Sequence, residues 1–458
     1  MPQILVPPEL IKITKALEKL NGRCILVGGT VRDYFLGKKA SKEFDVEIFG
    51  VSPETIESVL VKFGKLCAVG KNFGVLKLNS PNAEYDFSLP RTENKSSSGH
   101  RGFFVKTDSQ MSYKEAASRR DFTVNSIGYD LLTHEVLDPF KGLSDLKIKK
   151  LRHIGSSFIE DPLRVLRAMQ FSARLEFRIA PETIKLCKVL NLGELSKERV
   201  FEEFRKLLLK ARRPSLGLEA AKKLGILNYF PELKALIGVP QDPEWHPEGD
   251  VWNHTMLVVD QAANLKKGEE KHDLGLMYGA LCHDFGKPLT TKFIDGRWRS
   301  HAHDSKGVLP TENFLRRITD NRVLIEKVTN LVKEHLRPIQ LFKERYRINP
   351  GTIRRLSLRV NIPDLVLLAK ADYFGRSMSE SETVRFAAGE WLLEKAKKLK
   401  VSDEKPFPLL LGRHLLSIGV KPGPKMGIIL KQAFESQLNG DFQNVKGAIE
   451  WAKLNLTE

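Results

Sequence analysis

The sequence lacks the features of a disulfide-bonded secreted protein and of a membrane protein. Its 458 residues include four cysteines that are far apart and form no paired framework, which suits a reducing compartment. No apolar run approaches the roughly 18 residues that a spanning helix needs, and the N-terminus has neither a basic region nor a long apolar core. Internal repeats and low-complexity tracts are also missing. We therefore expect a soluble, cytosolic protein.

The two commonest phosphate-binding motifs, G-x-x-x-x-G-K-[ST] and G-x-G-x-x-G, are absent as well, which excludes a P-loop and a dinucleotide site. What is present is LVGGTVRD at residues 26–33. The apolar run 24–27 predicts a strand, Gly28 and Gly29 break it, and residues 31–36 predict the start of a helix. Backbone N–H groups at such a junction suit a phosphate chain, although an ordinary turn has the same pattern.

Acidic residues follow this junction at strand spacing. Residues 44–49 alternate apolar and acidic side chains, so Asp45 and Glu47 are predicted to share one face of a strand. Asp86 lies in a second alternating run. Carboxylates side by side repel each other unless a cation lies between them, and oxygen ligands suit Mg²⁺ bridging to substrate phosphates. The three acids therefore predict two-metal phosphoryl transfer, with a solvated strand face as the alternative.

A second cluster joins an acid to an arginine. Residues 160–174 predict a helix with Pro162 in its first turn, so Asp161 and Arg164 would share a face. An acceptor beside a forked donor matches the amino group and bare ring nitrogen of cytosine or adenine, and mismatches uracil and guanine. Such a pair discriminates by roughly 1–3 kcal/mol. The alternative is an ordinary ion pair on a helix surface.

These motifs together resemble those of the tRNA nucleotidyltransferases of the bacterial and eukaryotic class, the CCA-adding enzymes, and of their poly(A) polymerase relatives. The resemblance spans roughly residues 20 to 235. The motifs stand in the family's order: GGTVRD at 28–33, the carboxylate pair, LPRTE at 89–93, RRDFTVN at 119–125, DPFKG at 138–142 and EDPLR at 160–164.

The resemblance implies an α+β protein whose polymerase-beta-like mixed-sheet head precedes an all-α neck. It implies catalytic and Mg²⁺-binding roles for Asp45 and Glu47, with Asp86 as the third catalytic acid; the family commonly has Asp where Glu47 stands. It also implies a protein template made of Asp161 and Arg164. Further nucleotide-binding residues are expected to be Gly28, Gly29, Arg32, Arg120, Asp121, Asn125 and Arg167.

A second chemical site follows the neck. His254, the pair His283-Asp284, His303, His335 and Asp372 stand in an order that resembles an HD-type metal-dependent phosphohydrolase domain. Imidazole and carboxylate ligands suit a divalent transition metal such as Ni, Mn or Fe. The resemblance implies one metal on His254, His283, Asp284 and Asp372, and a second on His303 and His335, with His301 as a weaker candidate. Hydrolysis of phosphate esters, including 2′,3′-cyclic phosphates at RNA ends, is the expected chemistry, and an idle HD site used as a tRNA platform is the alternative.

The domain organisation predicted from these patterns has four parts: a nucleotidyltransferase head at 1–145, a helical neck at 146–238, an HD domain at 239–378 and a helical tail at 379–458. Residues 91–102 predict a mobile loop in the head, and a Gly/Pro turn at 421–427 precedes a tail helix that is a candidate for tRNA contact. Lys and Arg number 74 against 56 Asp and Glu, and the net charge of +18 suits a nucleic-acid partner.

The sequence thus predicts an enzyme that adds or repairs the 3′-terminal CCA of tRNA from CTP and ATP, with an HD phosphohydrolase activity. Three alternatives remain open at this point. One is a relative that adds only A, only CC, or a poly(A) tail. Another is an HD hydrolase whose head only binds RNA, and the third is an RNA-binding scaffold without turnover.

Overall fold

A computed structural model describes residues 3–38, 42–68, 75–81, 83–95, 103–376, 385–402 and 404–455. The chain divides into two compact units. Unit 1 comprises residues 1–207 and 216–229, and unit 2 comprises residues 208–215 and 230–458.

Unit 1 begins with a mixed α/β segment and continues into helices. Its strands are β1 (Arg23–Val27), β2 (Glu43–Phe49), β3 (Leu66–Ala68), β4 (Val75–Ser80), β5 (Ala83–Ser88), β6 (Arg91–Lys95), β7 (Phe103–Thr107), β8 (Gly128–Asp130), β9 (Val136–Leu137), β10 (Lys150–Leu151) and β11 (Arg178–Ile179). The helices up to residue 224 are α1 (Pro8–Glu18), α2 (Gly29–Phe35), α3 (Pro53–Leu60), α4 (Tyr113–Ser118), α5 (Gly142–Lys147), α6 (Leu163–Leu175), α7 (Pro181–Cys187), α8 (Lys197–Lys210) and α9 (Ser215–Leu224).

The central sheet of unit 1 has seven strands in the order β3-β4-β5-β2-β1-β8-β9. Strands β2 and β5 run parallel, and the other neighbours in this sheet are antiparallel. The apolar residues of β1 and β2 are buried, as the apolar run 24–27 and the alternating pattern of residues 44–49 predict. In the β2–β5 register Asp45 lies opposite Asp86, so the two predicted catalytic acids are neighbours at the centre of the sheet.

Two local predictions differ from the structure. The helix expected from residue 160 begins at Leu163, because the Asp161 carboxylate accepts a hydrogen bond from the Leu163 N–H and holds the chain extended before Pro162. The segment predicted as a loop at 91–102 contains strand β6, which pairs antiparallel with β7. Residues 96–102 of that segment lie outside the described residues.

The described residues of unit 2 are helical apart from one hairpin. Its helices are α10 (Pro231–Lys234), α11 (Val251–Asn264), α12 (Glu270–Cys282), α13 (Lys287–Thr290), α14 (His303–Lys306), α15 (Val308–Ile318), α16 (Arg322–Glu334), α17 (Arg337–Lys343), α18 (Pro350–Arg359), α19 (Ile362–Phe374), α20 (Ala387–Lys398), α21 (Gly412–Ser417), α22 (Pro424–Asn439) and α23 (Val445–Asn455). The hairpin pairs β12 (Thr291–Ile294) with β13 (Arg297–Ser300).

This architecture confirms the α+β prediction of a mixed-sheet head followed by helices. It corrects the prediction of an all-α neck and an α-helical HD domain, because the short β10–β11 pair lies in the neck range and the β12–β13 hairpin in the HD range. Helix α12 carries apolar residues on all sides. It can therefore pack against α11, α16 and α19 together, and its residues Asp273 to Cys282 are buried. Among the described residues, we find no helix with both the length and the apolar character needed to cross a bilayer.

Candidate active sites

The acidic centre of unit 1 lies where β1 turns into α2. Gly28 has φ +74, and a Cβ at this position would lie 2.9 Å from Asp45 Oδ2, so only glycine lets the turn approach the carboxylate. Loss of hydration at this crowded edge and the neighbouring charge of Asp86 both raise the pKa of Asp45. Lys77 Nζ lies 3.0 Å from Asp86 Oδ2 and balances part of the acidic charge. The arrangement brings Gly28, Asp45 and Asp86 together, as expected.

Glu47 occupies a different environment from Asp45, although both lie on the same face of β2. Its side chain is fully buried, and its two oxygens accept hydrogen bonds from Arg119 at 2.9 Å and Arg120 at 3.1 Å. Burial would raise the pKa of Glu47, but the charges of Arg120 and Arg119 outweigh it and lower the pKa. As the side chains stand, both oxygens that a metal would need are taken by guanidinium groups.

Glu43 was missed by the sequence reasoning. It lies two residues before Asp45 on the same face of β2, both are exposed, and the charge of Glu43 contributes to the raised pKa of Asp45. The same period of two that grouped Asp45 with Glu47 includes Glu43, so the signal was present in the sequence. The exposed acids at this edge are therefore Glu43 and Asp45, with Asp86 partly exposed beside them.

A hydrogen-bonded chain connects four of the predicted nucleotide-binding residues. Arg32 donates to Asn125 Oδ1 at 2.7 Å, and Asn125 donates to Asp121 Oδ1 at 2.9 Å. Asp121 Oδ2 accepts from Arg167 at 2.7 Å, and this charge offsets burial and lowers the pKa of Asp121. The guanidinium groups of Arg32 and Arg167 both lie over the Phe171 ring, at 5.3 and 5.2 Å. This chain fixes the guanidinium groups of Arg32 and Arg167 against the same ring, and Arg32 also lies near Gly29 of the turn.

Asp161 and Arg164 are near each other but have separate partners. Asp161 Oδ2 accepts from Arg199 at 2.7 Å. Arg164 is buried and donates to the backbone carbonyls of Ser157 and Arg119. The Arg119 carbonyl links Arg164 to the segment that Glu47 holds, and Arg199 is a residue that the sequence reasoning did not single out.

In unit 2 the predicted HD residues lie close together. Four of the histidine rings are held in orientation by a hydrogen bond at Nδ1, the nitrogen on the side away from the centre. His283, His303 and His335 each place Nδ1 against a backbone carbonyl, of Ala280, Ser300 and Val332 respectively. A carbonyl can only accept, so each Nδ1 carries a proton, and in the neutral imidazole Nε2 is then the nitrogen whose lone pair faces the centre. In His254 the Glu248 carboxylate takes the same place, 2.8 Å from Nδ1. This is the orientation that metal-binding imidazoles require.

Several side-chain atoms that face this centre lack a hydrogen-bond partner among the described residues. The Nε2 atoms of His303 and His335 lie 3.3 Å apart, so a shared proton or a metal cation must lie between them. Burial lowers the pKa of both imidazoles, that of His335 to about 4, which disfavours the proton at neutral pH. His283 Nε2 and both Asp284 oxygens are buried and have no partner with hydrogen-bond geometry within the described residues, although Lys287 Nζ and His283 Nε2 form ion pairs with Asp284 Oδ2. The donor set therefore fits a divalent cation.

The ligand atoms fall into two sets, each within 4.8 Å: His254, His283 and Asp372 in one, Asp284, His303 and His335 in the other. Asp284 adjoins both, since its Oδ2 lies 3.2 Å from His283 Nε2 and its Oδ1 lies 3.4 Å from His303 Nε2. His301 is exposed and belongs to neither set.

Sequence reasoning missed Glu248 and Lys287 at this site. Glu248 accepts hydrogen bonds from His246 and His254, and these hold its pKa well below the usual range although burial opposes them. Lys287 Nζ lies 2.8 Å from Asp284 Oδ2 and donates to Gln241 at 2.6 Å. A signal for Lys287 was available, because it follows His283-Asp284 by one helical turn.

Comparison with family models gives three matches along the chain. Residues 24–152 match the poly A polymerase head domain, residues 176–237 match a probable RNA and SrmB-binding site of polymerase A, and residues 251–377 match the HD domain. Nucleotidyltransferase and HD domains point to dependence on divalent metals, in agreement with the acidic and histidine-rich centres described above.

Curated relatives and solved structures agree with these matches. The chain is 36% identical to the multifunctional CCA protein of Xylella fastidiosa strain 9a5c, over 77% of this chain and 83% of that protein. It is 38% identical to that of Xanthomonas campestris pv. campestris strain B100, over 78% and 86%. The fold is similar to the Bacillus stearothermophilus CCA-adding enzyme in complex with CTP, with TM-score 0.67, 20% identity, and coverage of 99% of this chain and 98% of that one. It is also similar to the Thermotoga maritima CCA-adding enzyme complexed with tRNA, with TM-score 0.57, 20% identity, and coverage of 98% and 96%.

Proposed function

We propose a function from the premise that this chain belongs to the family of the multifunctional CCA proteins. It is a nucleotidyltransferase that adds or repairs the 3′-terminal CCA of tRNA from CTP and ATP without a nucleic-acid template. The observation that carries this conclusion is the acidic edge of β2 and β5 beside the Gly28-Gly29 turn. The four-part division of the chain into head, neck, HD domain and tail remains our prediction.

In the head, we assign the metal-facing role to Asp45, Asp86 and Glu43. Mg²⁺ held there would supply the charge neutralisation and hydroxyl activation that two-metal phosphoryl transfer needs. Our sequence prediction gave this role to Glu47 in place of Glu43, but the two arginines on Glu47 favour an anchoring role. Arg32 and Arg167 lie where the triphosphate would approach the turn, and Asp121 and Asn125 hold both cations in place.

Base selection by Asp161 and Arg164 remains the proposed mechanism for preferring CTP and ATP. The Asp161 carboxylate would accept from the exocyclic amino group, and Arg164 would donate to the ring nitrogen. Because Asp161 is bonded to Arg199, base binding requires exchange of that contact. Arg164 is held by two backbone carbonyls, so its guanidinium plane is preorganised before the nucleotide arrives.

The product is tested on three tRNA transcripts that end before CCA, after CC, and after complete CCA. With Mg²⁺, CTP and ATP, we expect addition of C, C and A to the first, addition of A to the second, and no net addition to the third, as read by sequencing the 3′ ends. Addition of A to the CC-ended transcript alone would assign A-adding activity and a partner enzyme for CC. Absence of incorporation on all three would exclude the transferase function.

In unit 2 we propose a phosphohydrolase centre on the two ligand sets joined by Asp284. A divalent transition metal bound there would supply an activated water or hydroxide for attack on a phosphate ester. The expected substrates are RNA ends with 2′- or 2′,3′-cyclic phosphates. The observation that supports the proposal is that four imidazoles donate their Nδ1 protons to acceptors on the side away from the centre.

Replacing Asp284 by Asn is expected to remove bound transition metal and to lower hydrolysis of 2′,3′-cyclic nucleotides at least about 10²-fold, because Asp284 adjoins both ligand sets. Metal content by mass spectrometry and initial rates provide the measurement. His301→Ala is the matched control, since His301 is exposed and outside both sets; it should retain metal and rate. Nucleotide addition to tRNA should be unchanged in both variants. Wild-type protein that binds metal but hydrolyses no phosphate ester would instead support an idle HD site.

A further inference from the structure

A cavity of about 260 Å³ is lined in part by residues of the HD centre. One part of its lining is polar and another part is aromatic. Asp284, His303, His335 and Asp372 form the polar wall. Trp245 and Trp298 line the same cavity and are 49% and 38% exposed. Large aromatic side chains left in water beside a polar centre expose apolar surface that burial against a ligand would remove. The mechanism proposed above does not use either tryptophan.

The two tryptophans are held at the cavity by contacts of their chain neighbours. Arg297, next to Trp298, forms an ion pair of 2.9 Å with Glu244, next to Trp245. Trp298 also lies opposite Phe293 in the β12–β13 hairpin, and their rings meet edge to face at 5.1 Å. The segment that carries Trp245 is tied to the HD centre from its other end, where Gln241 accepts from Lys287. The aromatic wall is therefore built into the fold.

Two cationic side chains line the same cavity as the tryptophans and the histidines. Lys287 and Arg376 both line the cavity. Arg376 Nε is buried and makes no hydrogen bond within the described residues, so it has a donor to offer. Asp242 is the one further acidic side chain among the residues that line the cavity, apart from Asp284 and Asp372. Anionic and aromatic parts of one ligand would thus have separate partners, a phosphoryl group near Lys287 and Arg376 and a flat ring system near the tryptophans.

We propose that Trp245 and Trp298 form a base-binding subsite that stacks the terminal nucleobase of the RNA whose phosphate lies at the HD centre. The proposal rests on the phosphohydrolase function proposed above and deepens it: the nucleobase beside the phosphate contributes to binding, and any of the four bases is accepted. Stacking accepts every base, because each has a π face.

The test compares substrates with and without a base, using the metal-loaded full chain. 2′-AMP and 2′-CMP are the nucleotides, and glycerol 2-phosphate is the base-free ester, so all three substrates are phosphomonoesters of a secondary alcohol. In Trp298→Ala and Trp245→Ala we expect KM for both nucleotides to rise about 10- to 100-fold, with kcat within about 2-fold. Hydrolysis of the base-free ester should stay unchanged. Phe variants at the same positions should restore most of the lost affinity, because a ring remains for stacking.

Phe407→Ala is the matched control, since Phe407 is an exposed aromatic of the same unit outside the cavity lining; it should leave every KM unchanged. Unchanged nucleotide KM in both tryptophan variants would overturn the proposal, as would a wild-type enzyme that binds the base-free ester as well as the nucleotides. A second measurement is independent of hydrolysis. Titration with 2′-AMP should quench the tryptophan fluorescence of the wild type and lose most of that quenching in Trp298→Ala. Absence of hydrolysis with quenching present would overturn the phosphohydrolase function but support the subsite, and absence of quenching would overturn the subsite.

Discussion

Asp45→Asn is expected to lower nucleotide addition to tRNA at least about 10³-fold while the protein remains folded. Asp45 lies between Gly28 and Asp86, so it is the acid closest to both the phosphate-binding turn and the third carboxylate. Loss of a carboxylate that holds the catalytic cation costs several kcal/mol of transition-state stabilisation, and about 1.4 kcal/mol corresponds to tenfold in rate. Initial rates of CTP and ATP incorporation into tRNA measure the effect.

Two comparisons make this result specific. Glu57→Gln removes an exposed carboxylate from α3 of the same unit and should leave addition unchanged. Removal of the Asp45 charge also relieves its repulsion with Asp86, so the thermal midpoint of Asp45→Asn should equal that of the wild type or exceed it. Full addition by Asp45→Asn, together with loss of all activity in His283→Ala, would instead assign the chemistry to the HD centre.

Glu47→Gln is expected to lower the free energy of unfolding of unit 1 by about 3 kcal/mol. The substitution keeps the shape of the side chain but leaves the guanidinium groups of Arg119 and Arg120 without their shared counter-charge, and breaking a buried pair in this way costs about 3–5 kcal/mol. The lower end applies because both arginines are about one-fifth exposed. The midpoint of urea denaturation measures the change.

The pH dependence identifies the charge as the cause. The folded-state pKa of Glu47 is lowered, so its contribution is fully present above the unfolded pKa of about 4.3 and is lost as pH falls through the folded pKa. The difference between wild type and Glu47→Gln should therefore be constant near pH 7 and shrink in acid. Glu43→Gln is the control for stability, since Glu43 is exposed on the same strand face, and should change it by less than about 0.5 kcal/mol.

The same pair of variants decides between the anchoring role and our sequence-based prediction that Glu47 binds Mg²⁺. As an anchor, Glu47 holds Arg119, whose carbonyl binds Arg164, so Glu47→Gln should raise KM for CTP and ATP and leave the Mg²⁺ requirement unchanged. As a ligand, it would raise the Mg²⁺ concentration needed for half-maximal rate and leave stability unchanged. In our proposal the Mg²⁺ requirement rises in Glu43→Gln instead.

The sequence by itself determined the elements and the types of chemistry in this protein. Strand β1 follows from the continuous apolar run 24–27, and strands β2 and β5 follow from residues that alternate with period two. The order of His and Asp residues between 254 and 372 indicated the HD centre, and the structure brings all six predicted side chains together. The helical stretches after residue 150 followed from the spacing of apolar residues.

Only the tertiary structure determined which charged side chains form ion pairs with each other. The face shared by Glu43, Asp45 and Glu47 is visible in the sequence, but only the packing of Arg119 and Arg120, more than 70 residues later, separates the anchored acid from the exposed ones. Likewise Arg199 reaches Asp161 from 38 residues away. Local periodicity depends on the backbone within a few residues, whereas these pairs depend on where separate elements come together, because a buried charge is stable only beside the counter-charge that folding brings to it.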